Sequence, residues 1–126
     1  MVVGAGLGES ARAALVTRGY SEMGRLAEAL GAKPETLAGL SGLGDLILTC
    51  SSVLSRNFSH GIAIGSGKIA PKATVEGLAT ARAAVKLAAE KGVELPIAAM
   101  IARLTTGEIE LGEAMRELMS RPLKQE

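Results

Sequence analysis

Apolar and small residues return at steps of three and four through Ala11, Leu15, Gly19, Met23, Leu26 and Leu30. That is the spacing of one helix face. It predicts a helix from about Ser10 to Leu30, with Gly31 as its C-cap. Gly19 and Gly24 weaken this helix locally and suit close packing. Pro34 fits the first turn of a short helix, "PETLAGL". Ser41 is a fair N-cap for "GLGDLILTC". The stretch "SSVLSRNFSHGIAIGSG" reads less clearly: Ser51 and Ser52 favour a turn, while "RNFSHGIAIG" suits a helix. "GSGKIAPKAT" reads as an exposed loop.

Helical spacing resumes from Val75 to Lys91, with Leu78, Ala81, Val85 and Ala88 as a seam and Gly92 as the stop. Pro96 opens the next helix, Ile97, Met100, Ile101 and Leu104 share a face, and Gly107 ends it. A last helix carries Leu111, Ala114, Met115, Leu118 and Met119 and stops before Pro122. "LILTC" is short and apolar enough for a strand, but its neighbours read as helix. The expectation is an all-α fold, one domain over residues 1–126, with about five to seven helices.

Composition narrows the function classes. Apolar residues make up 48% of the chain, enough for a core, and the aromatics are Tyr20 and Phe58, so that core is aliphatic. Fourteen basic residues against thirteen acidic ones leave a net charge of +1. Such balance offers no basic face to nucleic acid, and two aromatics make no base-stacking platform. A lone Cys50 forms no internal disulfide, suits a reducing compartment and reads as a small packing residue. No apolar run reaches the ~18 residues of a membrane span. The opening "MVVGAGLGES" lacks signal-peptide character. A cytoplasmic protein with no membrane partner is expected.

Two glycine motifs fail on inspection. "GAGLGE" has the outline of a dinucleotide-binding turn, but only Met1 to Val3 precede it and Glu9 fills the last position. "IAIGSGK" ends like a phosphate loop, but Ile62 stands where the first glycine belongs and Ile69 where Ser or Thr belongs. One histidine, His60, excludes a His-rich metal site, and the acids show no metal-ligand spacing, so no metal is expected.

Three polar positions retain chemistry. Asp45 stands among Leu43, Leu46, Ile47 and Leu48, with Thr49 one turn later on the same helix face. Its acid also suits a helix start, where negative charge is favoured. "SRN", Ser55 to Asn57, combines a planar donor fork, an amide and a hydroxyl, a set that suits phosphate at a turn or helix start. A solvated turn explains the same residues. Glu76, at a helix start, has a dipole role available too.

Taken in order, "ARAALVTRGYSEMGRLAEALGAKPETLAGLSGLGDLILTCSS", then "SRN", "VEG" and "KGVELPI" resemble the C-terminal domain of bacterial NAD(P)-dependent glycerol-3-phosphate dehydrogenase. The likeness runs from about Gly4 to Glu126, and "GLGDLILTC" followed by "SRN" is its most specific part. It implies a helical domain of the 6-phosphogluconate dehydrogenase C-terminal-like type. In that family this domain closes over the substrate beside a Rossmann domain that holds NAD or NADP. The implied reaction interconverts dihydroxyacetone phosphate and sn-glycerol 3-phosphate and feeds phospholipid synthesis.

Carried over residue by residue, the likeness makes Asp45 orient the substrate's polar end and the catalytic amine. Ser55, Arg56 and Asn57 bind the glycerol phosphate, and Thr49 is a weaker candidate for the same pocket. Arg56 also approaches the cofactor's phosphates, and Glu76 touches the cofactor from this side. The sequence departs from the pattern at Thr74, where the family carries an aliphatic residue. It also lacks the cofactor domain and the segment bearing the family's catalytic lysine, for which Lys33 and Lys68 do not substitute.

Hydride transfer requires donor and acceptor held at reacting distance. The expectation is therefore a binding domain that is inactive alone and holds no cofactor by itself. The residues separating NAD from NADP belong to the other domain. The competing class is a non-catalytic helical association module. Helix faces left bare should favour a homo-oligomer, with the first helix the one to be exchanged between copies.

Overall fold

The protein is described by a computed structural model, covering residues 1–68 and 75–120; the side chains of Val75 and Glu76 are outside the described set. After a turn over the first residues come α1 (Gly8–Ala29), α2 (Pro34–Leu37), a π-helical turn (Leu40–Gly44), α3 (Asp45–Ser51) and α4 (Arg56–Gly65). Then follow α5 (Val75–Glu90), α6 (Pro96–Thr106) and α7 (Leu111–Ser120). Among the described residues there is no strand, so the all-α expectation holds.

Helix limits follow the predicted chemistry closely. Gly31, Gly92 and Gly107 take φ of 85°, 68° and 75° just beyond α1, α5 and α6. Pro34 and Pro96 occupy first turns, where a missing N–H costs no helical bond. Ser41 does not cap α3; it lies inside the π turn, and Asp45 follows at the start of the α-helix. Gly42 explains this departure. It packs so tightly on α2 that an added Cβ would fall 2.0 Å from the Leu37 carbonyl oxygen. The chain here takes a wider, π-type turn, with the Gly44 N–H donating to the Gly39 carbonyl five residues back at 3.2 Å.

The core lies where α1, α6 and α7 meet. Met100, Ile109, Ala114 and Leu118 are buried, with Leu15, Ile97 and Leu104 packed against them. The predicted stripe of α1 is only partly used: Leu15 packs inward, but Met23 and Leu30 are exposed. The buried residue of α1 is Glu22, at 6% exposure. Its carboxylate accepts from the backbone N–H of Ile97 at 2.6 Å and of Ala98 at 3.4 Å. An acid from α1 thus satisfies the orphan donors at the start of α6. Two further ties hold α7: Arg18 donates to the Leu118 carbonyl at 2.5 Å, and Arg103 donates from Nη1 to both carboxylate oxygens of Glu117 at 3.2 and 3.1 Å.

The two rejected glycine motifs form a packing pair. A Cβ at Gly65 would sit 2.0 Å from the Met1 carbonyl oxygen, and one at Gly61 2.7 Å from the Met1 nitrogen. From the other side, a Cβ at Gly4 would sit 2.1 Å from the Ile62 carbonyl oxygen. The first residues therefore lie backbone to backbone on α4. No single described helix is long and apolar enough to cross a membrane.

Candidate functional site

The approach to α4 is built by serines. Ser52 accepts at its carbonyl from Ser55 N–H at 3.0 Å and at its hydroxyl from Leu54 N–H at 3.2 Å. Ser59, one turn into α4, donates back to the Val53 carbonyl at 2.7 Å. The turn predicted around Ser51 and Ser52 begins at Ser52, because Ser51 still belongs to α3. It delivers Ser55 in an extended conformation as the N-cap of α4, where its hydroxyl accepts from Phe58 N–H at 3.3 Å. A capping hydroxyl oxygen keeps its own hydrogen to donate.

Arg56 and Asn57 open α4 and are exposed, and no acid lies in that first turn. The first N–H groups of a helix have no helical acceptor. With the positive end of the dipole and a guanidinium beside them, they make a place for an anion.

Asp45 is the first residue of α3 and is exposed, as the dipole reading of this acid anticipates. Among the described residues no ion pair joins it to Arg56. Thr49 stands one turn later, half-buried. It faces a cavity of about 380 Å³ that Asn57 also lines, so α3 and α4 contribute a hydroxyl and an amide to one space. Asp45, Ser55 and Arg56 do not line that cavity. "VEG", the first turn of α5, abuts Asn57 through Gly77, while the Glu76 side chain falls outside the described residues. Thr74, the departure from the family pattern, also falls outside them.

Most of the cavity wall is apolar, with Val2, Leu15, Met100 and Leu104 among its lining. Its polar edge includes two residues that sequence reasoning did not single out for a role there. Arg12 pairs with Glu9 one turn before it, while its Nε is buried with no hydrogen-bond partner among the described residues. Cys50 has its thiol pushed up by burial, opposed by the Arg12 guanidinium and the amino terminus. The one advance signal for Arg12 was a charge on the inner side of an otherwise apolar turn. For Gly77 it was a glycine inside an Ala-rich helix.

The chain matches a family model over residues 1–116, described as the C-terminus of NAD-dependent glycerol-3-phosphate dehydrogenase. Glycerol-3-phosphate dehydrogenase (NAD(P)+) of Cereibacter sphaeroides is 63% identical over 127 residues, covering 100% of this chain and 42% of that protein. Its counterpart from Paracoccus denitrificans is 57% identical over 125 residues, covering 98% and 40%. The crystal structure of glycerol-3-phosphate dehydrogenase from Coxiella burnetii superposes with a TM-score of 0.88 at 40% identity, covering 95% of this chain and 39% of that one. The chain thus spans about two fifths of the length of the curated relatives it matches.

Proposed function

Because the chain belongs to the family of C-terminal domains of NAD-dependent glycerol-3-phosphate dehydrogenase, we propose that it is the substrate-binding domain of an enzyme interconverting sn-glycerol 3-phosphate and dihydroxyacetone phosphate with NAD or NADP. The observation that carries the proposal is the start of α4. A serine cap, a guanidinium and a carboxamide stand together on a first turn that holds no acid.

In this reading the phosphate sits at the first turn of α4. Arg56 supplies the charged fork, Asn57 a neutral donor and Ser55 its hydroxyl hydrogen. Asp45, at the start of the neighbouring α3, orients the hydroxyl end of the substrate. Thr49 acts from the cavity wall. The exposed Arg56 also fits one edge of a nicotinamide dinucleotide, because the same fork suits its phosphates, and Glu76 approaches that cofactor from α5. When bound, the dinucleotide supplies or takes the hydride; the residues of this chain hold and orient.

Calorimetric titration of the chain with sn-glycerol 3-phosphate tests the reading, with glycerol as the control. Saturable binding of the phosphate ester is expected, with none of glycerol. Arg56→Ala should weaken it at least tenfold, about the loss of one charge-assisted contact. Equal binding by the Arg56→Ala variant removes α4 from the site.

A second reading, an association module, has one observation in its favour. Leu40 and Leu54 are each 91% exposed and Val53 is 70% exposed, with Ile47 and Leu48 exposed between them. Apolar surface of this kind favours partners, among them a second copy.

A further inference from the structure

Gly77 lies in the first turn of α5. A Cβ built there would stand 2.7 Å from the Asn57 Oδ1 and 3.6 Å from its Cγ. Among the described residues these are the atoms within 4 Å of that position. The other tightly packed glycines behave differently. Gly4, Gly42 and Gly65 make room for backbone carbonyls, which serves the fold. At Gly77 the missing Cβ makes room for the end of one side chain, and that side chain belongs to the candidate site.

Alanine is the better helix former, and α5 uses it freely at Ala79, Ala81, Ala83 and Ala84. A glycine at 77 therefore forgoes helix stability for space. The space receives the end of the carboxamide, with Oδ1 nearest to position 77. With Oδ1 turned toward Gly77, the carboxamide presents its NH2 end elsewhere, and only that end donates to an anion.

We infer that Gly77 is a positioning residue: by leaving room beside α5 it holds the Asn57 carboxamide with its amide hydrogens directed to the phosphate at the start of α4. The inference rests on the substrate reading above, and it joins the "SRN" and "VEG" motifs physically. A methyl group at 77 would push the carboxamide off this pose, because a flexible side-chain end yields before a helix backbone does.

The test uses the whole chain and three variants, Gly77→Ala, Asn57→Ala and the double variant. Two readouts are taken: affinity for sn-glycerol 3-phosphate, and the side-chain amide resonances of Asn57. Gly77→Ala should shift those resonances without ligand and leave the thermal midpoint unchanged or higher, so that misfolding does not account for the result. It should weaken binding about tenfold, as Asn57→Ala does, the loss of one hydrogen bond to a charged group. The double variant should bind no worse than Asn57→Ala alone, since the two changes remove the same contact. Unshifted resonances, or unchanged affinity in Gly77→Ala, overturns the inference. If the unsubstituted chain binds no glycerol 3-phosphate, the substrate reading fails instead, and the ligand-free resonances alone decide the positioning claim.

Discussion

Cys50 is half-buried on the cavity wall, and burial lifts its thiol above its ordinary value of 9.0. A group whose folded pKa is raised contributes stability that is fully present below the unfolded pKa. That stability is lost as pH rises through the folded pKa. The fold should therefore lose stability as pH climbs past about 9, and Cys50→Ala should flatten that slope; denaturant melts across the alkaline range measure it. An unchanged slope in the variant would assign the loss to other groups. At neutral pH the thiol stays protonated and should alkylate slowly.

At this scale the sequence named candidate chemistry but could not apportion it. Asp45 and Thr49 share a helix face in the sequence reading, yet only Thr49 reaches the cavity. Asp45 begins its helix straight after an irregular π turn, whose phase no heptad count supplies. Asn57 was legible as a donor; its contact with Gly77, twenty positions away, was not.

Helix starts and stops were legible because proline and glycine fix them locally. What joins the helices was not. Glu22 reads as one more acid on a long helix, yet it is buried and holds the first N–H groups of α6 from a distance of 75 residues. Glu22→Ala leaves those half-buried donors without that partner, and chemical denaturation should show a loss of about 1–3 kcal/mol. A loss no larger than that of an exposed acid would contradict the capping role.

The glycines of "GAGLGE" and "IAIGSGK" likewise look like nucleotide motifs until the two stretches are seen against each other. Gly65→Ala drives a methyl group into the Met1 carbonyl, a backbone atom. Overpacking of this kind costs about 1–3 kcal/mol and should lower the denaturation midpoint. Gly67→Ala is not a neutral control, because Gly67 holds a φ of 69°. Ser66→Ala, at an exposed turn position, is the better comparison.

The molecule as a whole carries an apolar stretch it does not bury, from Leu40 through Ile47 and Leu48 to Val53 and Leu54. It lies on the segment that carries Asp45 and leads to Ser55, so a partner seated there would also border the candidate site. Sedimentation velocity should show concentration-dependent association, and Leu54→Asp should reduce it; a monomer at high concentration contradicts this. The chain spans about two fifths of its curated relatives. Supplied with NADH or NADPH and dihydroxyacetone phosphate, these 126 residues should bind without turning over, and turnover above background would refute that.

The central claim is that the phosphate docks at the first turn of α4, and backbone amide resonances followed during a titration with sn-glycerol 3-phosphate test it most directly. The account predicts saturable shifts centred on Arg56, Asn57 and Phe58, lost in Arg56→Ala. Shifts centred elsewhere, or shifts that survive Arg56→Ala undiminished, would contradict it.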